Sequence, residues 1–249
     1  GLISIAMKRG IFGLLVIGAG LCALGTAEGV AQPNPFRRML GQEVQAVERS
    51  LWFERADGRG GFIFDRSARM PLIQADSDDE VLAVHQARAA GGGEVWLTDT
   101  GRVMLRQSNL GGWTYFPSDR PDGVIVEPVG QARGFEVQPM EDSALERAAT
   151  DMAQALAELS RNEVRAELTA LDPEGNAYMA DAMRMVRRGA DLAPRRSVRD
   201  LQVVRLGVGE RPRVSYDGQV LDISITPSMG YGGRPSSALI RQSLESQSR

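Results

Sequence analysis

The single histidine of the chain, His85, is the first side chain that could act as a catalytic base. A catalytic triad places such a base between a nucleophile and an orienting carboxylate, and Ser67 with Asp78 or Asp79 would supply those residue types. Ser67 follows Asp65-Arg66 and precedes Ala68-Arg69, so it lacks the flanking glycines of a nucleophile elbow. The sequence therefore contains no triad motif around His85.

Acidic side chains could instead act in pairs, as in a glycosidase that degrades cell walls. No pair is set apart by its spacing. The acidic run at residues 76–80 is similar to a calcium-binding loop, but Val81 and Ala87 hold the positions where that loop needs glycine and glutamate. One histidine and one cysteine in the whole chain also make no zinc motif. We predict no metal and no cofactor, and we interpret residues 76–80 as a solvated turn.

The glycine-rich link at residues 230–233 and the residues that follow it form the best local candidate for a binding site. Glycines before a helix allow backbone N–H groups to converge, and a helix N-terminus favours anions. Arg234, Ser236 and Ser237 could complete a small anion site there. The competing interpretation is a turn in which Ser236 or Ser237 caps the helix.

Four aromatic side chains offer a second candidate surface in the segment that runs from residue 94 to residue 117. Trp96, Trp113, Tyr115 and Phe116 could stack on a sugar or a peptide if they were exposed. We favour a core role, because aromatic side chains carry much of the buried area of a folded domain.

The N-terminal segment has the pattern of an export signal. Met7-Lys8-Arg9 is a positively charged start, so we expect residues 1–6 to be an over-extended start, and residues 11–24 form an uncharged apolar run. Small residues end the segment at Ala31, as a cleavage site requires. Glycines dilute the run, which favours a cleaved signal peptide over an uncleaved membrane anchor. After cleavage the protein would lack cysteine, since Cys22 is the only one.

Composition and charge argue against one large class of function. The chain has a net charge of −3, and its arginines are scattered along it. A nucleic-acid-binding protein usually concentrates its basic side chains on one face. We therefore predict no nucleic-acid partner.

The order of the elements predicts an α+β fold. The patterns indicate a leader and short helix over residues 32–50, an antiparallel β meander over residues 51–140, and a helical hairpin over residues 141–194. Residues 195–249 form a C-terminal β-hairpin and a short helix packed on the meander. We expect residues 51–249 to be one domain, in which the C-terminal hairpin rejoins the first sheet.

Several local expectations are specific. Residues 81–85 form one strand, and residues 135–137 form the last short strand of the meander. The helical pattern breaks near residues 160–162 and resumes over residues 164–171. Asp217-Gly218 makes a hairpin turn near the C-terminus.

Short motifs along the chain carry a resemblance to a known family. They are Gly61-Phe62-Ile63-Phe64-Asp65-Arg66-Ser67, Pro71-Leu72-Ile73, the Gly101 turn, Val103-Met104-Leu105-Arg106, the Gly111-Gly112 turn and Gly233-Arg234-Pro235-Ser236-Ser237-Ala238. With these motifs the chain resembles an exported proteobacterial family of unknown function. The resemblance implies export and a shared fold, and it implies no activity.

The leading functional prediction is a periplasmic or secreted protein that binds an envelope component or another protein without catalysis. It depends on the export signal and on the lack of a catalytic motif. A membrane would be a partner only through an uncleaved signal segment. The alternative is a periplasmic hydrolase that uses carboxylates or His85.

Overall fold

A computed structural model describes residues 49–247 of the chain. The expected signal peptide and its cleavage site lie outside these residues, as does all but the end of the predicted leader and short helix. Within them the α+β class is confirmed, and the strands fall into two separate sheets.

The first sheet has nine strands in the order β4-β3-β2-β1-β9-β8-β7-β6-β5. Their bounds are β1 Ser50–Arg55, β2 Gly61–Asp65, β3 Leu72–Ala75, β4 Leu82–Ala83, β5 His85–Arg88, β6 Glu94–Leu97, β7 Val103–Gln107, β8 Trp113–Tyr115 and β9 Val124–Gln131. All neighbours in this sheet are antiparallel. The predicted meander is therefore confirmed.

The two edge strands of this sheet, β4 and β5, are adjacent along the chain. Only Val84 separates them, and its N–H donates to the carbonyl oxygen of Pro71 at 2.9 Å. Leu82 pairs with Ile73 of β3, whereas His85 pairs with Leu97 of β6. The sheet must therefore curl until its edges meet, and we call residues 50–131 the rolled sheet.

Aromatic side chains fill the inside of the rolled sheet, as the sequence indicated. Trp96 stacks on Trp113 with ring centroids 5.3 Å apart, and Phe62 stacks on Tyr115 at 4.3 Å. Trp96 and Tyr115 are buried, with 2% and 3% of their surface exposed. Stacked pairs of this kind add to the stability that burial alone supplies.

The remainder of the described chain combines helices with a second, smaller sheet. The helices are α1 Asp142–Ser160, α2 Pro173–Leu192, α3 Arg195–Val198, a 3-10 helix Pro227–Gly233 and α4 Ser237–Ser246. The strands are β10 Arg165–Glu167, β11 Val203–Val208, β12 Arg213–Tyr216 and β13 Val220–Ile225, in the order β10-β11-β13-β12. β10, β11 and β13 are parallel, and β12 is antiparallel to β13.

A second hydrophobic core lies between these helices and this sheet. α1 contributes Leu145, Met152 and Leu156, and α2 contributes Met179 and Met183, all almost completely buried. The methionine face of α2 therefore packs in a core. This core is distinct from the aromatic one inside the rolled sheet.

Two predicted strands are wrong in detail. Residues 81–85 do not form one strand, because the chain stops pairing with β3 at Ala83 and starts pairing with β6 at His85. Residues 135–137 are not a strand. The N–H of Phe135 donates instead to the carboxylate of Asp65 at 3.2 Å, so a side chain replaces a ladder partner.

Two longer-range expectations are also wrong. Helix α1 does end where a break was expected, and Arg161 follows it with φ 64, but residues 165–167 then form β10 instead of a further helix. The C-terminal hairpin of β12 and β13 turns at Asp217-Gly218 as predicted. It joins β11 in the second sheet instead of the first, because β11 pairs with β13 along all six of its residues.

Candidate functional site

Ser236 and Ser237 lie at the N-terminus of α4, where the sequence placed an anion site. Ser236 caps the helix, since its Oγ accepts a hydrogen bond from the N–H of Leu239 at 3.1 Å. Its own N–H and Oγ donate to the two carboxylate oxygens of Asp99 at 2.7 and 2.6 Å. Ser237 donates in the same way to Glu80. The anions that the structure places at this helix terminus are thus the chain's own carboxylates, and binding of an external anion stays a prediction.

Arg234, the third residue of the predicted site, is buried with 4% of its surface exposed. Its Nε donates to Oδ2 of Asp181 at 2.6 Å, and Nη2 donates to the carbonyl oxygen of Val81 at 2.9 Å. The guanidinium also lies over the ring of Tyr231. Arg234 therefore connects α2 to the rolled sheet, and its donors point at groups of this chain.

The acidic run at residues 76–80 continues this connection and is not a simple solvated turn. Asp78 and Asp79 accept hydrogen bonds from Arg188 of α2, and Asp79 also accepts one from Arg184 at 3.1 Å. Glu80 is buried, with 5% exposed. The expectation of full solvation is therefore wrong for Glu80, which caps α4.

Ser67, considered above as a nucleophile, is occupied elsewhere. Its N–H and Oγ both donate to Oδ1 of Asp65, and the other oxygen of that carboxylate holds Phe135. Asp65 is almost completely buried. The Asp65-Arg66-Ser67 motif therefore fixes the chain where it leaves the rolled sheet.

His85 lies beside a small cavity of about 170 Å³ that also meets the predicted anion site. Asp99, Arg234 and Ser236 line the same cavity, together with apolar groups such as Leu239. The structure thus brings the lone histidine close to two of the three predicted ligand-binding residues. The histidine itself is exposed.

A larger cavity, of about 440 Å³, opens at one end of the rolled sheet, and we call it the end cavity. Sheet residues and the turns at that end form its wall: Arg55, Arg59, Gly61, Ile73, Ala75, Asp76, Ser77, Asp78, Glu80, Leu82, Arg102, Met104, Tyr115, Pro117, Ser118 and Asp119. Its volume falls in the range of sites that bind small molecules.

Tyr115 contributes a phenol hydroxyl to the lining of the end cavity. The residue is 3% exposed and stacks on Phe62, yet no hydrogen-bond partner is found for its hydroxyl within residues 49–247. No side-chain oxygen or nitrogen that is sealed in the described part of the chain lacks a partner. The hydroxyl must therefore be open to the end cavity.

Charges around the cavity act on the Tyr115 phenol. Burial raises its pKa above the ordinary value of 10.0, against the opposing effect of the positive charge on Arg102. The phenol therefore stays protonated at neutral pH and can donate a hydrogen bond.

The three arginines of the wall differ in their partners, and Arg59 lies 3.8 Å from Asp119. Arg55 donates to Asp57 and Asp119. Both hydrogen bonds raise the pKa of Arg55, and the one with Asp119 has the larger effect. Arg102 donates only to neutral acceptors, the carbonyl oxygen of Phe116 at 2.7 Å and the hydroxyl of Ser118 at 3.3 Å. Among described residues no carboxylate pairs with Arg102.

The sequence suggested Tyr115 as one of four aromatic residues of a stacking surface or, as favoured, of a core, and it did not single out Arg102. One signal for Tyr115 was available in the sequence. The hydroxyl of a tyrosine in a buried aromatic core needs a hydrogen-bond partner or an opening to solvent. The hairpin of β7 and β8 brings Arg102 and Tyr115 together, whereas the closure of the sheet, which local patterns do not predict, adds Ile73 and Leu82 to the same cavity.

Two features of the described residues bear on other kinds of site. Residues 49–247 contain no group of three or more histidine, cysteine, aspartate or glutamate side chains arranged to hold a metal ion. None of the helices in this part of the chain combines the length and the apolar character needed to cross a membrane.

The fold and its cavities define an α+β protein in which a rolled antiparallel sheet is attached to a helical layer on a small mixed sheet. The chain belongs to the family of a domain of unknown function, DUF4908, whose family model matches residues 35–244. Neither the curated proteins nor the solved structures contain a match to it.

Proposed function

We propose that this protein is an exported, non-enzymatic module that binds a small polar component of the bacterial envelope in the end cavity. The observation that carries the proposal is the Tyr115 hydroxyl, which is held by a buried ring and open to a cavity of about 440 Å³ without a partner from the described chain. Because this hydroxyl opens to the cavity, it can donate a hydrogen bond to a molecule that enters it.

The export part of the proposal is supported by the N-terminal sequence pattern at residues 7–31. Expression of the whole chain in a bacterium, followed by fractionation and mass measurement, tests it. The expected product is a periplasmic chain that begins at Gln32. A cytoplasmic protein that keeps residues 7–31 would contradict export.

The binding part of the proposal is tested by native mass spectrometry of the protein recovered from the envelope fraction. The wild-type chain should retain a small molecule, and Ala75→Leu, which fills the wall of the end cavity, should lose it. Arg205→Gln, on the exposed face of the second sheet, serves as a control and should keep the ligand. A wild-type protein without ligand, or equal retention by Ala75→Leu, would contradict the proposal.

A hydrolase remains the second candidate, because His85, Asp99 and Ser236 line one cavity. Ser236 is poorly suited as a nucleophile, since its Oγ donates to Asp99 and caps α4. Turnover of p-nitrophenyl acetate that disappears in both His85→Ala and Ser236→Ala would favour the hydrolase. Turnover that is unchanged in both variants would remove it.

A further inference from the structure

We propose that the ligand of the end cavity is a small organic carboxylate with an apolar part, and that its carboxylate binds the Arg102 guanidinium and the Tyr115 hydroxyl. This inference rests on the proposed function, to which it adds a ligand class and a head-group contact.

The first argument is the charge balance of the wall. Three of its four carboxylates already have partners: Asp119 binds Arg55, Asp78 binds Arg188, and Glu80 binds Ser237. The guanidinium of Arg55 is likewise occupied. Arg59 lies 3.8 Å from Asp119, so Arg102, which is exposed, is the wall arginine without a carboxylate partner among the described residues and is the cation available to an anionic ligand.

The second argument is the hydrogen-bonding capacity of Arg102. A guanidinium carries five N–H donors, and neutral oxygens of Phe116 and Ser118 take two of them. The contacts with Phe116 and Ser118 also fix the orientation of the group. A fixed guanidinium with free donors suits a carboxylate, which accepts two parallel hydrogen bonds.

Tyr115 supplies the second contact to the same anion. Both residues line the end cavity, and Arg102 donates to the carbonyl oxygen of Phe116, the residue that follows Tyr115. The hydroxyl is open to the cavity, while its ring is fixed by stacking on Phe62. A donor placed beside a guanidinium strengthens binding of an anion that both can reach.

The remaining wall determines the charge and the body of the ligand. The carboxylate of Asp76 has no ion-pair partner among described residues and accepts only the N–H of Gly61. A doubly charged phosphate would be repelled more strongly than a singly charged carboxylate by this acidic wall. Ile73, Leu82 and Met104 provide an apolar surface for a short hydrocarbon chain.

Calorimetric titration with four probes of equal chain length tests the ligand class on the whole mature chain. The probes are hexanoate, hexanol, hexylamine and hexyl phosphate at constant ionic strength. Hexanoate should bind most tightly. Arg102→Gln should weaken hexanoate binding at least about tenfold, as the loss of a charged hydrogen-bond partner does. Arg106→Gln, in the adjoining strand β7 and outside the lining of the end cavity, should not change it.

Tyr115→Phe should also weaken hexanoate binding and should leave the weak binding of hexanol unchanged, because only the hydroxyl is removed. Equal or tighter binding of hexylamine, hexanol or hexyl phosphate, or unchanged affinity in Arg102→Gln, would overturn the inference. The proposed function would survive that result if a molecule retained from the envelope is still lost in Ala75→Leu. It would fail with the inference if nothing is retained.

Discussion

The Nε atom of Arg234 lies 2.6 Å from Oδ2 of Asp181, and only 2% and 6% of the two side chains are exposed. The same arginine donates to the carbonyl oxygen of Val81, next to the buried Glu80. One guanidinium therefore connects the link before α4, helix α2 and the rolled sheet. The Gly233–Ser237 motif thus has a structural role at this junction.

Removal of the arginine charge should destabilise the protein strongly. Arg234→Met removes the buried cation between Asp181 and Glu80 and leaves them only the partly exposed Arg184 and Arg188. The expected loss in the free energy of unfolding is about 3–5 kcal/mol. Urea denaturation followed by circular dichroism measures it. Arg205→Met removes exposed pairs with Glu167 and Asp222, which solvent screens, and should cost far less than Arg234→Met. Equal losses in the two variants would contradict the role given to Arg234.

Gly233 should tolerate no side chain. A Cβ at this position would lie 2.0 Å from the carbonyl oxygen of Thr226, a backbone atom, and Gly233 also accepts the N–H of Thr226 at 2.7 Å. Gly233→Ala should therefore reduce the free energy of unfolding by about 1–3 kcal/mol, as overpacking does. Gly130→Ala is the matched control, since a Cβ there meets no atom within 4 Å. A stability of Gly233→Ala within error of that control would show that the close approach to Thr226 is incorrect.

All four tyrosines should ionise only at unusually high pH in the folded protein. Burial raises the pKa of Tyr115, Tyr178, Tyr231 and Tyr216, the last to about 12. Absorbance of tyrosinate during an alkaline titration should therefore appear above pH 10 in the folded protein, for Tyr216 near pH 12, and near pH 10 in urea. Tyr216→Phe should remove the step near pH 12.

The same shifts predict a loss of stability in alkali. Because the folded-state pKa values are raised, the tyrosines contribute stability that is fully present below the unfolded pKa of about 10 and is lost as pH rises through the folded values. Chemical denaturation at several pH values should show the free energy of unfolding falling between pH 10 and about 12. A stability that does not change over this interval would show that the phenols are not buried as described.

Much of the fold was readable from local patterns. Asp217-Gly218 predicted the hairpin of β12 and β13, since its side chain and φ 104 at Gly218 meet the needs of a two-residue turn. Pro173 after Asp172 predicted the start of α2, where Asp172 accepts the N–H of Gly175. These features depend on residues that are close together in sequence.

The errors concern pairing between distant residues. Residues 165–167 carry a helical spacing, but they pair in parallel with β11 across a gap of 38 residues between Arg165 and Val203. The local sequence does not distinguish such a strand from a helix, because pairing with a distant strand overrides the local propensity. The split at Val84 has the same cause. It arises because β3 pairs with the residues before Val84 and β6 pairs with the residues after it.

The predicted binding residues illustrate the same limit. The pattern at Arg234, Ser236 and Ser237 indicated convergent donors, and the donors do converge. Their acceptors, Asp181, Asp99 and Glu80, lie from 53 to 157 residues away in sequence. The sequence indicated that these donors bind an anion, but it did not indicate that the anions are carboxylates of the same chain.

The most direct test of the central claim, that the end cavity is a ligand site, is a crystal structure of the protein purified without denaturation from the envelope fraction. The account predicts a small molecule in the cavity within hydrogen-bond distance, roughly 2.5–3.2 Å, of the Tyr115 hydroxyl and in contact with Arg102. A cavity that contains only water, with a Tyr115 hydroxyl bound to the protein's own atoms, would contradict it.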